Sequence, residues 1–212
     1  MFRSEYEAVK RYDQYCPIAH ALGVVGERWT LLVVRELARG PLRYTDLADR
    51  LPGIGTNILA DRLKELEAAC VVEKRKLPPP AASTVYELTE YGAGLRPVLH
   101  ELARWGARSL GPPPPDALEP GWLVHALDLA LSPLCRGSTI AFRVGDEEAS
   151  LVDCTAVEGI ADGYETLVEA DAAGLYELIV NRRLDRVRIE GDPAPLERLI
   201  AGFSATPAPI PV

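Results

Sequence analysis

Several absences frame this 212-residue chain. Its four cysteines, Cys16, Cys70, Cys135 and Cys154, include no C-x-x-C pair, so it has neither a zinc-site spacing nor a disulfide framework. No apolar run approaches the ~18 residues of a membrane span. The early stretch FRSEYEAVKRYDQY is charged where a secretory signal would be apolar. The expectation is a soluble, cytoplasmic protein with no membrane contact. Internal repeats are absent. So is a catalytic constellation: the second half holds one histidine, His125, and no serine follows a nucleophile-elbow pattern. The acidic run Asp146-Glu147-Glu148 lacks the further oxygen ligands a cation needs and reads as a solvated turn. No enzyme, no metal and no cofactor are expected.

What is present is an asymmetry of charge. Residues 1–110 hold 16 basic and 14 acidic side chains, a net of +2, whereas residues 111–212 hold 7 and 17, a net of −10. The first half can approach a polyanion and the second is repelled by one. The break falls at Gly111-Pro112-Pro113-Pro114-Pro115, a run that cannot be helical and acts as a stiff spacer. The layout expected is a mainly-α domain over 1–110, a Pro-rich linker over 111–119, a smaller α+β domain over 120–205 and a flexible tail over 206–212.

The stretch from Leu42 to Lys76 carries most of the functional information. Tyr44, Leu47, Ala48 and Leu51 recur at helical spacing, and so do Ile58, Leu59, Leu63 and Leu66. Pro52, Gly53 and Gly55 stop the first helix and turn the chain sharply into the second. Two helices on a tight glycine turn frame a DNA-binding helix-turn-helix whose second helix enters the major groove. Val71–Leu77 and Thr84–Leu88 flank PPPAAS as a hairpin, which would be the wing.

From Cys16 to Gly106 the chain resembles the HxlR family of winged-helix transcriptional regulators, relatives of the MarR group. Cys16-Pro17, GVVGERWTLLVVREL, LRYTDLADRLPGI, ILADRLKELE, VYELTEYG and LHELARWG carry the resemblance, in the family's order and spacing. Three departures stand out. Glu27-Arg28-Trp29 replaces Gly-Lys-Trp, Gly55 replaces a capping serine, and Cys70 replaces a glycine. Gly is nearly as good a cap as serine. Cys70 sits where a helix end prefers a residue that tolerates positive φ.

On the second helix of the motif, Thr56, Asn57, Ala60, Asp61 and Lys64 are expected outward. There Asn57 has the paired groups to read adenine, and Ala60 can touch a thymine methyl. Arg43, at the first turn of the motif, suits a backbone phosphate or is simply solvated. Arg62 contacts phosphate or pairs with an acid such as Glu65 or Asp46. Lys74, Arg75 and Lys76 lie on the wing, with Lys74 and Lys76 on one side by alternation. They straddle a phosphate strand or merely defend an edge strand by charge.

A net of +2 is weak for one copy, since affinity from phosphate contacts grows with their number. Dimerisation answers this. Tyr91, Leu95, Val98, Leu99, Leu102 and Trp105 form a helical stripe wide enough for its own domain and a partner. The resemblance implies a homodimer built from this helix and the N-terminal segment, with Tyr6, Val9 and Tyr12 as candidates there. It also implies a reactive thiol at Cys16 in some members. The alternative for Cys16 is an unreactive, half-buried side chain. Val25, Trp29, Leu32, Val33 and Leu37 are expected on the apolar face of one long helix, with Trp29 a core anchor.

The second domain reads as an amphipathic helix (PGWLVHALDLALSPL), then strands STIAFRV, EEASLVDCT and YETLVEA, then a helix capped by Asp171, a strand DRVRIEGD and a closing helix. From Pro120 to Phe203 this order resembles the sterol carrier protein type 2-like fold, which implies an apolar cavity. Leu123, Leu127, Leu131, Phe142, Leu151, Leu167, Leu175 and Leu178 are the candidate lining, and serve equally well as ordinary core. The function expected is a dimeric repressor that reads a pseudo-palindrome in double-stranded DNA, with a hydrophobic effector in its second domain. The alternative is a lipid or small-molecule carrier that uses the winged helix for protein interaction.

Overall fold

The computed structural model describes residues 12–80, 82–114, 118 and 120–202. The chain divides into two units, Met1–Leu99 and His100–Val212. The division falls inside a helix, well ahead of the proline run. Within the second unit the Tyr176 hydroxyl donates to the Ala107 carbonyl at 3.0 Å, which ties that end of the helix to its own unit.

In the first unit, α1 (Pro17–Val25) opens on Pro17, where a missing N–H costs nothing. The single long helix expected here is two helices. Gly26 closes α1, and Trp29, at φ 78°, begins α2 (Thr30–Leu37) from a left-handed conformation. The break redirects the apolar face. Val33, Val34 and Leu37 are buried and Trp29 packs against them, while Leu32 is turned outward.

Next come α3 (Tyr44–Asp49) and α4 (Thr56–Ala68), with the Tyr44 hydroxyl donating to the Thr56 carbonyl at 2.7 Å across the turn. β1 (Val72–Lys76) and β2 (Thr84–Leu88) pair antiparallel, and Leu42 bridges to Tyr86. α5 (Glu90–Ala93) and α6 (Arg96–Leu110) follow, broken at Gly94-Leu95 where one continuous helix was expected. Leu47, Leu51, Leu59, Leu63 and Leu66 meet Val33, Val34 and Leu37 in one core. Each fully buried leucine contributes about 1.5–3 kcal/mol.

Two backbone devices hold α4 against the wing. Cys70 sits at φ 55°, the Val71 N–H reaches back to the Leu66 carbonyl at 2.9 Å, and the Cys70 N–H reaches Glu67 at 3.0 Å. This is a Schellman stop with cysteine where glycine is the unstrained choice. The Thr89 hydroxyl donates to the Cys70 carbonyl at 2.6 Å and accepts from the Gly92 N–H at 3.0 Å. Gly92 has no room for a side chain, since a Cβ there would lie 2.0 Å from the Val71 carbonyl oxygen.

The second unit is built on a five-stranded sheet of order β5-β4-β3-β6-β7. Its strands are β3 (Ile140–Val144), β4 (Glu147–Val152), β5 (Thr155–Glu158), β6 (Thr166–Ala170) and β7 (Arg188–Gly191). Only the central β3–β6 pair is parallel. The stretch expected as one strand over 147–155 is a hairpin, turned at Asp153 and Cys154, both at positive φ. Positive φ at both central residues suits a tight hairpin turn, normally with Gly or Asn. α7 (Trp122–Ala130), α8 (Ala172–Tyr176) with a π turn at Glu177–Asn181, and α9 (Ala194–Ala201) complete the unit. Asp171 caps α8 as expected, accepting from the Gly174 N–H at 2.6 Å.

Candidate nucleic-acid interface

The outward face of α4 is polar because its buried face takes every third or fourth residue. Leu59, Leu63 and Leu66 are buried, and Thr56, Asn57, Ala60, Asp61 and Lys64 are exposed, as their spacing predicts. Ile58 shares that outward side, 43% exposed, although periodicity had assigned it to the core. It adds an apolar contact beside Asn57 at the helix end that usually meets base edges.

The basic residues divide into paired and unpaired. Arg62 is the most enclosed of these cations: its side chain is only 12% exposed, held at 2.9 Å from Glu65 and 3.3 Å from Glu27. Of the acids considered from sequence, Glu65 is the partner and Asp46 is not. Asp46 instead accepts the Arg43 backbone N–H at 3.2 Å, at the start of α3. On the wing, Arg75 meets Glu87 through two bonds of 2.5 and 2.9 Å. That contact raises the Arg75 pKa above its ordinary value and lowers that of Glu87. Lys74 bonds Glu67 at 2.8 Å and lies 5.2 Å from the Tyr86 ring centroid. Its pKa rises, chiefly through the Glu67 bond. These wing pairs are solvent-exposed and exchangeable. Arg43, Lys64 and Lys76 carry no ion pair among the described residues and are the cations most available to phosphate.

The sequence reading missed Glu36. It is buried at 3% exposure on α2 and is met by Arg35 at 2.6 Å, Arg39 at 3.7 Å and Arg50 at 4.0 Å. Arg50 ends α3, so this carboxylate ties the preceding helix to the helix-turn-helix. Its position between Arg35 and Arg39 was the available signal.

The expected dimerisation residues split by face. Leu95 and Leu99 pack into the first unit's core, whereas Val98 (44%), Leu102 (42%) and Trp105 (66%) are exposed on α6. Tyr12, Tyr15, Ile18 and Leu22 are also exposed. Tyr6 and Val9 lie outside the described residues. Cys16 precedes α1 as its N-cap, half-buried, with no side-chain capping bond.

In the second unit the apolar residues offered as a pocket lining are packed core instead. Leu123, Leu127, Leu131, Phe142, Leu151, Leu175 and Leu178 fill one buried cluster, and Leu167 is buried as well. Strand alternation and helix stripes aim them at each other. A cavity of about 320 Å³ lies elsewhere in this unit, between α6, α7 and the α8–π segment, and shares only Leu175 with that set. Glu147 also departs from expectation. It caps α7, accepting from the Gly121 and Leu123 N–H groups at 2.5 and 2.9 Å. Burial pushes the Cys135 thiol pKa up, and the neighbouring Cys154 thiol adds to the shift. Among the described residues no cluster could hold a metal ion, and no helix is long and apolar enough to cross a membrane.

A family model described as HxlR-like helix-turn-helix matches residues 24–113. The chain is 37% identical over 91 residues to the HTH-type transcriptional regulator YodB of Bacillus subtilis (strain 168), a match covering 42% of this chain and 81% of that protein. It is 32% identical over 101 residues to YvaP of the same strain, an uncharacterized HTH-type transcriptional regulator, covering 47% of this chain and 94% of that one. The solved reduced form of YodB from B. subtilis is 34% identical, covers 48% of this chain and 100% of that chain, and superposes with a TM-score of 0.41. With its motif residues in place and relatives matched over most of their length, the chain belongs to the HxlR-like helix-turn-helix family of transcriptional regulators.

Proposed function

We propose that the protein is a dimeric repressor that inserts α4 of each copy into successive major grooves of a pseudo-palindromic duplex and is regulated through its acidic second unit. The polar outer face of α4 carries this reading, because Thr56, Asn57, Ala60, Asp61 and Lys64 are exposed over a fully packed leucine face. In this arrangement Asn57 reads a base edge, Ile58 and Ala60 contact methyl groups, and Arg43, Lys64 and Lys76 neutralise phosphates. Lys74 and Arg75 can exchange their surface carboxylates for phosphates. The exposed Val98, Leu102 and Trp105 of α6, together with Tyr12, supply the apolar surface for pairing two copies. Two recognition helices so joined would meet sites about one DNA turn apart.

Mobility-shift titration against the DNA flanking the protein's own coding region tests the reading. Lys76→Glu should weaken binding at all sequences and flatten the salt dependence, whereas Asn57→Ala should change base preference. If neither alters binding, α4 and the wing are not the interface. For Cys16, electrophile sensing is the lesser of two readings beside an unreactive, half-buried thiol. Alkylation of Cys16 that leaves operator affinity unchanged would remove that role.

A further inference from the structure

The cavity of the second unit is walled by alanines on three helices together with larger apolar residues. Ala103 and Ala107 of α6 face Ala126 and Ala130 of α7, with Ala172 of α8 beside them, around about 320 Å³. Residues four apart share one helix face, so each pair aligns short side chains where leucines would close the gap. The volume falls at the lower end of the range for small-molecule clefts, about 300–1,000 Å³. The π turn at Glu177–Asn181 supplies Ile179 and Val180 to the same wall. Such turns occur frequently at functional sites.

Polarity narrows the occupant. Trp122, Leu175 and Ile179 present apolar surface, and the Tyr176 hydroxyl is already committed to the Ala107 carbonyl at 3.0 Å. The charged residues of the lining are Arg104 and Arg108, and the lining has no carboxylate. Arg104 pairs with Glu101, three residues before it on α6 and largely exposed. A surface pair of that kind is worth little and is readily exchanged. A guanidinium at the edge of an apolar cleft suits a bidentate carboxylate.

We infer that this cavity takes an apolar monocarboxylate, with its hydrocarbon body among the alanines and its carboxylate at Arg104 and Arg108. The inference rests on the second unit being the sensing half of the regulator and adds the site, the ligand class and the route. The occupied wall includes α6, whose outer side carries the exposed Leu102 and Trp105. A ligand pressing on Ala103 and Ala107 therefore acts on the helix proposed to pair two copies.

Calorimetric titration of the full chain, without DNA, with decanoate and with decan-1-ol tests this. Saturable binding of one decanoate per chain is expected, about ten-fold tighter than the alcohol, as a charge-assisted pair provides. Arg104→Gln combined with Arg108→Gln should abolish that preference. Ala126→Trp fills the cavity and should weaken decanoate by about ten-fold or more while the thermal melt is retained. Should that variant fail to fold, 10-bromodecanoate locates the ligand in the unaltered cavity by quenching Trp122, and Trp122→Phe should remove that quenching. Absence of saturable binding, equal affinity for acid and alcohol, or undiminished quenching in Trp122→Phe overturns the assignment. None of these readouts involves DNA, so the regulator reading and the ligand site fail separately.

Discussion

The two units bury similar cores and finish their surfaces differently. The first unit packs leucines from short helices, yet leaves Tyr12, Tyr15, Ile18, Leu22, Tyr91 and Val98 exposed. The second packs helices on one face of a five-stranded sheet, and beyond α6 its exposed large apolar residues are Tyr164 and Leu184 among the described residues. Scattered surface hydrophobics need no explanation, but a series along α1 and α6 does. The first unit leaves an apolar series uncovered in the single chain, the surface proposed above for pairing two copies. The second closes its sheet core alone and keeps an alanine-walled cavity on its helical side. The contrast is between an uncovered apolar surface on one unit and an enclosed apolar space in the other.

Gly92→Ala should separate the two units most sharply. The added methyl cannot fit 2.0 Å from the Val71 carbonyl oxygen, so α5 must move away from the start of the wing. A loss of about 3 kcal/mol or more is expected in the first unit. Calorimetry should show its transition lowered and that of the second unit unchanged. A common shift of both would mean that the units unfold as one.

Glu36→Ala comes next. It strands Arg35, Arg39 and Arg50 around an apolar site, but those guanidiniums are partly solvated, so the cost is about 1–3 kcal/mol, below that of breaking a fully buried pair. A melting temperature lowered by about 4–8 °C per kcal/mol in the first unit is the readout. The mirror experiment in the second unit is Glu147→Ala. It removes the acceptor for two N–H groups at the start of α7 and should cost about 1–2 kcal/mol there alone. An equal response in the first unit would count against two separable cores. Cys70→Gly should have the smallest effect and the opposite sign. Relieving a non-glycine residue at φ 55° should stabilise the first unit by about 0.5–1 kcal/mol, measured by urea denaturation.

The helix-turn-helix was legible because its signal is local. The leucine spacing of α4 and the Pro-Gly turn before it use residues within one or two helical turns of each other. The outward positions of Thr56, Asn57, Ala60, Asp61 and Lys64 follow from that spacing alone. Two of the misreadings depend on partners distant in the chain, and two on local backbone conformations that the residue types do not announce. Arg62 was ambiguous until Glu27 was seen to reach it, and Arg75 until the hairpin brought Glu87 opposite. The β4–β5 turn escaped notice because Asp153 and Cys154 adopt positive φ without a glycine to announce it. The break at Trp29 was hidden by an apolar period that ran on past it.

Sequence alone therefore determined the main polar and apolar faces of elements such as α4, since helical and strand periods are properties of the local backbone. It also determined the charge contrast between the two halves, which is a sum over residues. Tertiary structure decided which apolar residues are core and which line a cavity, because a leucine stripe is identical in both until opposing elements arrive. It decided, too, which cations stand in ion pairs and which do not. An ion pair depends on distance in space, and only the folded chain brings Glu27, Glu67 and Glu87 to the arginines and lysine they hold.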